Sequence, residues 1–230
     1  MTTILQIETA TTACSVALAR DGEVIGLKQI NQRNIHAEVI TLFIDELLKS
    51  NAVNYADIDA IAVSSGPGSY TGLRIGVSTA KGLCYALDKP LIAVETLQAM
   101  ADGVRTINSV DLPQGTLLCP MIDARRMEVY TAVFDGASNR LQATAALVIE
   151  ERSFDDYLQH RPVLFFGDGA EKCRDVIGGN PNALFMPEFA NSAAYLTNKA
   201  FEKLSSGDVE DVAYFEPYYL KDFIAGTKKV

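Results

Sequence analysis

The sequence predicts an α/β protein made of two similar halves. Three observations point there. The stretch from Ile58 to Glu95 reads as strand, glycine turn, helix, strand. Ahead of it lie short strand-like segments separated by turn signals. The second half then repeats this order, strands first and α/β alternation after.

Thr3 to Glu8 and Cys14 to Arg20 read as strands. Asp21-Gly22 is a hairpin signal, and Glu23 to Ile30 returns as a third strand. The linker Thr9-Ala10-Thr11-Thr12 is small and hydroxylic. Its hydroxyls either bond the local backbone or cradle a phosphate, although the glycine that allows close backbone approach is missing. Asn34 to Ser50 reads as a helix. At 100° per residue its apolar side chains sweep roughly 240°, whereas packing on one core needs a stripe little wider than about 100°. Such a helix is either buried inside one domain or shared between the sheet and a partner.

Ile61, Ala62 and Val63 suit a buried strand. Gly66-Pro67-Gly68-Ser69 breaks it. A helix from Thr71 to Leu87 follows and ends at Asp88-Lys89-Pro90, and Leu91 to Val94 is the next strand. The glycine turn is a tight connection or an anion site at a helix start. It is not a Walker loop: no Gly-Lys-Ser/Thr closes it, and Lys81 lies too deep in the helix. Gly72, Gly76 and Ala80 are spaced i, i+4, i+8. Glycine inside a helix costs about 1 kcal/mol against alanine, so this ridge calls for a close neighbour, either within the domain or on a partner helix. Thr96 to Val104 is a short helix.

Asn108 to Gly115 is loop-like and marks a boundary between lobes 1–107 and 108–230. Leu117 to Asp123 and Glu128 to Phe134 are strands around Ala124-Arg125-Arg126. Those arginines either bind an anion bidentately or form a solvated turn. Leu141 to Ile149 is extended, and Ser153 caps a helix through Gln159. Val163 to Phe166 is a strand leading into Gly167-Asp168-Gly169-Ala170 and a helix to Val176. Ser192 to Ser205 is a helix stopped at Gly207. The tail from Glu216 is irregular and carries Lys221, Lys228 and Lys229.

The 230 residues are 48% hydrophobic and carry a net charge of −9. The first figure supports a substantial core. The second argues against tRNA binding by the chain alone, because phosphate contacts need a basic footprint. A more basic partner holds any RNA. Cys14, Cys84, Cys119 and Cys173 are scattered without C-x-x-C, as free thiols in a reducing cytoplasm are. Met1 to Ala10 lacks the features of a signal peptide. His36 and His160 are isolated, which argues against a Ser-His or Cys-His enzyme.

The run Ser65-Gly66-Pro67-Gly68-Ser69-Tyr70-Thr71-Gly72-Leu73-Arg74-Ile75-Gly76, followed by Ala80-Lys81-Gly82-Leu83, resembles the bacterial TsaB (YeaZ) family. Ile7-Glu8-Thr9 and Ile122-Asp123-Ala124-Arg125-Arg126 resemble it too. The resemblance implies an actin-like (ASKHA, ribonuclease-H-like) fold of two α/β lobes, the second degenerate, with the last helix and tail packing back on the first. It implies a non-catalytic subunit for N6-threonylcarbamoyladenosine formation in tRNA, one that binds and activates the TsaD transferase. The P-loop ATPase TsaE joins that pair, tRNA is reached through the complex, and the chain is a homodimer when alone. No intrinsic cofactor is implied, ATP or ADP entering only with the complex, and the location is cytoplasmic. TsaD carries a His-x-x-x-His metal pair after the equivalent strand. Thr96 and Met100 stand there in this chain and suit no such metal.

The expected partner interface is Ile35, Val39, Ile40, Phe43, Ile44 and Leu47 on the first helix. Gly72, Ile75, Gly76, Thr79, Ala80 and Leu83 complete it on the second. Thr9, Thr11, Thr12 and Arg125 are the candidate nucleotide contacts. Two alternatives compete. An actin-fold ATPase or phosphotransferase would use Glu8 and Asp123 to hold Mg²⁺. A peptidase, a label attached to relatives of this fold, lacks both its histidine pair and a nucleophile–base set.

Overall fold

The computed structural model describes residues 1–107 and 112–221. Part of the expected boundary loop, and Lys228 and Lys229, lie outside the described residues. The described residues form two five-stranded sheets of identical design. The first comprises β1 (Thr3–Glu8), β2 (Ala13–Arg20), β3 (Glu23–Asn31), β4 (Ala60–Ser64) and β5 (Leu91–Val94), in the order β3-β2-β1-β4-β5. β2 runs antiparallel to β1 and β3, while β4 and β5 run parallel to β1. The second comprises β6 (Leu117–Asp123), β7 (Glu128–Phe134), β8 (Arg140–Val148), β9 (Val163–Phe166) and β10 (Ala183–Met186), in the order β8-β7-β6-β9-β10. Its strand directions repeat those of the first sheet.

The helices differ more than the strands. In the first lobe α1 (His36–Ser50) and α2 (Tyr70–Leu87) pack on one face of the sheet. α1 begins two residues later than Asn34, because Asn34 sits at φ 61° and Ile35 caps the helix. α2 is capped by Ser69, whose hydroxyl accepts from the Gly72 N–H at 3.3 Å. It ends at Asp88 in the left-handed region, one residue before Lys89-Pro90. α3 (Thr96–Val104) follows β5.

In the second lobe the equivalents of α1 and α2 shrink. The helix expected through Gln159 is α4, Asp155–Leu158 alone. Ser153 does not cap it: its hydroxyl accepts from the Glu150 N–H at 2.8 Å. After β9 come a 3-10 turn, Glu171–Cys173, and α5, Arg174–Ile177. α6 runs Thr197–Ser206 behind a second 3-10 turn, Ala193–Leu196, and stops at Gly207 with φ 72°. β10 is an addition to the elements expected from the sequence.

Each half lends its last helix to the other half's sheet. α3 buries Leu97, Met100, Ala101 and Val104 against Leu118, Ile122, Phe134 and Phe166 of the second lobe. α6 and the turn before it bury Leu196 and Ala200 against Ile4, Ala62, Ile92 and Val94 of the first. Each large apolar side chain so buried contributes about 1.5–3 kcal/mol. The exchange ties the lobes together.

Candidate partner surface and interlobe cleft

The twelve residues expected at the partner interface divide into two sets. Ile40, Ile44 and Leu47 are each 2% exposed and pack on β1, β2 and β4. Gly72, Gly76 and Ala80 are also buried. A Cβ on Gly72 would lie 2.1 Å from the Thr9 carbonyl oxygen, and one on Gly76 would lie 2.2 Å from Thr9 Oγ1. The Thr9 hydroxyl donates to the Gly72 carbonyl at 2.8 Å. The smooth ridge therefore accommodates the β1–β2 linker of its own lobe. These six residues are core and cannot meet a partner while the lobe is folded.

The other six remain accessible. Ile35, Val39 and Phe43 on α1, and Ile75, Thr79 and Leu83 on α2, are half-buried. Val39, Phe43, Ile75 and Leu83 lie against the outer side of the core where the two helices meet. Sequence reasoning missed their exposed neighbours. Leu42 is 59% exposed and Tyr85 is 88% exposed. Gly82 opens onto free space, and a Cβ there would have no neighbour within 4 Å. Ser78, Gly82 and Ala86, spaced i, i+4, i+8, are all exposed. The smooth ridge that faces outward is this one. Its signal was Gly82 inside the Ala80-Lys81-Gly82-Leu83 motif.

A strap from Asp208 to Lys221 runs along the flank of α2. The Glu210 N–H donates to the Leu91 carbonyl at 2.9 Å, and the Tyr218 N–H to the Ser65 carbonyl at 2.7 Å. Lys81 Nζ donates to the Phe215 carbonyl at 2.9 Å. Tyr219 packs on Tyr70 with ring centroids 4.8 Å apart, and Arg74 lies over the same Tyr70 ring at 5.4 Å. Lys221 ion-pairs with Glu128 of the second lobe. Gly66 sits at φ 117°, and a Cβ there would lie 2.5 Å from the Tyr218 carbonyl oxygen. That glycine is fixed by the strap as well as by its turn.

The four candidate nucleotide contacts do not converge. Thr9 is buried against α2, as above. Thr11 Oγ1 accepts from the Ala13 N–H at 3.3 Å, and Thr12 Oγ1 donates to Asn31 Oδ1 at 2.7 Å. The Ala10 N–H donates to Glu8 Oε1 at 2.5 Å. These groups are thus spent within the first lobe, on the linker, on β3 and on α2. Arg125 is exposed at φ 73° in its turn. A cavity of about 320 Å³ does open here, lined by Thr12, Asn31, Gln32, Arg33, Asp123 and Asp168. Its two carboxylates against one guanidinium make a poor phosphate site. Asp123 is ion-paired with Lys172 and accepts from the Arg125 N–H at 3.0 Å.

The two acidic positions considered for Mg²⁺ do not share this cavity. Glu8 is 1% exposed, and burial pushes its carboxyl up to about 7 against the hydrogen bonds that favour its charge. Thr96 and Met100 have structural partners. Thr96 Oγ1 accepts from the Gly66 N–H at 3.1 Å, fixing the glycine turn. Met100 is 1% exposed, and its Cε would lie 2.6 Å from a Cβ on Gly167, the matching turn of the second lobe. Among the described residues no group of three or more His, Cys, Asp or Glu side chains is placed to hold a metal ion.

The family model described as TsaD, tRNA N6-adenosine threonylcarbamoyltransferase, matches residues 23–225. The tRNA threonylcarbamoyladenosine biosynthesis protein TsaB of Escherichia coli is 32% identical over 98% of this chain and 97% of its own length. The Bacillus subtilis protein of the same name is 32% identical over 76% of this chain and 77% of its own. Among solved structures, YeaZ from Pseudomonas aeruginosa superimposes with a TM-score of 0.79 at 26% identity, covering 96% of this chain and all of that one.

Proposed function

This chain belongs to the TsaB family of tRNA threonylcarbamoyladenosine biosynthesis proteins, built on a TsaD-type domain, and from that premise we propose that it binds and activates the TsaD transferase through the groove between α1 and α2. The observation that carries the non-catalytic part is the fate of Thr96 and Met100. The paralogue's metal-binding positions are here a hydroxyl that fixes a turn and a thioether in the core. Neither is available as a ligand without unmaking that packing.

The groove carries the binding part. Val39 and Phe43 of α1 and Ile75 and Leu83 of α2 are half-buried apolar side chains packed on the outer side of one core, and α2 carries the outward ridge Ser78, Gly82, Ala86. Apolar side chains beside a smooth helix let a second helix pair approach closely. A paralogue of the same fold presents the matching pair, and a second copy does so when the transferase is absent. That gives a pseudo-symmetric heterodimer in one case and a homodimer in the other. TsaE joins the transferase pair, and ATP or ADP enters with it. The net charge of −9 leaves tRNA to the more basic partners. No described helix is long and apolar enough to cross a membrane. With Cys14, Cys84, Cys119 and Cys173 buried and free, we assign the complex to the cytoplasm.

The ATPase and peptidase readings find less support. The cavity between the lobes is acidic, and Glu8 does not reach it. The purified chain alone should release no phosphate from ATP and modify no tRNA, and it should do neither after incubation with zinc or iron. Turnover by the chain without partners, abolished by changing Asp123 or Glu8, would favour the ATPase reading instead.

A further inference from the structure

α2 has a second outward flank, on the side of the strap, that the groove with α1 does not use. The strap's fastenings set its register on the helix. Glu210 bonds Leu91, just beyond the C-terminal end of α2, and Tyr218 bonds Ser65, just ahead of its N-terminal end. Between them Lys81 Nζ donates to the Ala213 carbonyl at 3.3 Å and to the Phe215 carbonyl at 2.9 Å. The strap therefore runs antiparallel to α2. Val212 and Phe215 pack inward on the core of the first lobe. Tyr214, between the two carbonyls that Lys81 holds, is turned outward and is 84% exposed. Asp211 Oδ1 accepts from the Ala213 N–H at 2.8 Å and the Tyr214 N–H at 3.2 Å, which fixes the turn that presents this ring.

Tyr85 follows Lys81 by one helical turn, so the register brings it level with Tyr214. Gly82 lies three residues before it and Ser78 seven, so Tyr85 also borders the outward ridge. Tyr70, Tyr219 and Arg74 stack at the other end of the flank, beside the exposed Tyr218. Five of the chain's nine tyrosines thus share one flank of one helix. Tyrosine and arginine are the residues that dominate binding hot spots, because they offer large amphipathic area. The charge around them is negative. Asp211 and Glu216 are exposed, and among the described residues neither is ion-paired. Aromatic faces and free carboxylates both attract lysine and arginine. The same carboxylates repel a phosphate backbone, so the flank suits a basic protein surface better than RNA.

We propose that this flank is a second part of the transferase contact, where Tyr85 and Tyr214 receive lysine or arginine side chains of the partner and Asp211 and Glu216 steer them in. The inference rests on the groove reading and extends it, since Tyr85 joins the flank to the outward ridge without a break. Lys81 serves it indirectly, by holding the strap at the height where Tyr214 stands abreast of Tyr85.

Calorimetric titration against TsaD, with association rates at low and high salt, tests this. Tyr85→Ala and Tyr214→Ala should each weaken binding by about 10-fold or more. Both rings are exposed, so the thermal melts should stay native. Glu216→Lys should slow association by about 10-fold at low salt, and the difference should fade at high salt. Ile75→Asp is the groove comparator. Native affinity in both tyrosine variants beside lost binding by Ile75→Asp confines the contact to the groove and overturns this inference alone. Native affinity in all three overturns the groove reading as well. A native association rate for Glu216→Lys at low salt contradicts the steering. Binding of tRNA by the native chain that Tyr85→Ala abolishes would assign the flank to base stacking, and would equally overturn the proposal.

Discussion

Gly72→Ala should destabilise this protein by about 3 kcal/mol or more, the upper end of what overpacking does. In an exposed helix the same change is worth about 1 kcal/mol in the other direction. The sign reverses because the new Cβ would lie 2.1 Å from the Thr9 carbonyl oxygen, a backbone atom that cannot swing aside. Moving it means displacing the β1–β2 linker, whose Thr9 hydroxyl is bonded to the Gly72 carbonyl. Gly82→Ala is the matched control on the same helix. Its Cβ meets nothing within 4 Å, so it should raise stability by a few tenths to about 1 kcal/mol. Urea denaturation of the two variants beside the native chain measures both signs. Equal stability of Gly72→Ala and native protein would show that α2 does not lie where it is described.

Ile75→Asp and Gly82→Arg should each weaken binding to the transferase by about 100-fold or more, with the fold retained. A carboxylate in an apolar contact has no partner for its charge, and a central truncation or clash typically removes at least about 2–3 kcal/mol. Both positions tolerate the change in the free chain. Ile75 is half-buried at the rim of the core, and Gly82 faces open space. Ile40→Asp is the contrasting case. Its side chain is 2% exposed among Leu5, Val16 and Leu18, so that variant should unfold rather than merely lose its partner. Calorimetric titration against TsaD, with a thermal melt for each variant, separates the outcomes. Normal binding by a folded Ile75→Asp and a folded Gly82→Arg would remove the groove from the interface.

The strands were legible because their signals are local. Alternation and the turn at Asp21-Gly22 fall within a few residues of the elements they end. β10 escaped because Ala183–Met186 is four residues long, half-buried, and flanked by Asn182 and Pro187. The α1 arc was legible but not its division. A helix lying between a sheet and a second helix buries two sides, so Ile40 and Val39 look alike in sequence while one is core and the other rim. The ridge Gly72, Gly76, Ala80 announced a close neighbour without saying which. The neighbour is Thr9, 63 residues from Gly72 in the chain. The outward ridge through Gly82 carried a weaker signal, since Ser78 and Ala86 are ordinary helix residues. The residues themselves did not show the exchange of α3 and α6, because an amphipathic helix carries no record of which sheet it covers; only the family resemblance implied that the last helix returns to the first lobe. Glu8 looked like a strand-end acid of the kind that holds Mg²⁺. Its burial arises from residues 191–197, which no local pattern connects to β1.

If the chain acts through the transferase rather than on a substrate of its own, its effect must appear in the transferase reaction. The most direct measurement is the rate of threonylcarbamoyladenosine formation on tRNA by TsaD with TsaE, ATP and an activated threonylcarbamoyl donor, with and without this chain. Product is expected when the native chain is added, little without it, and little when folded Ile75→Asp takes its place. An equal rate in its absence would contradict a role as activating subunit.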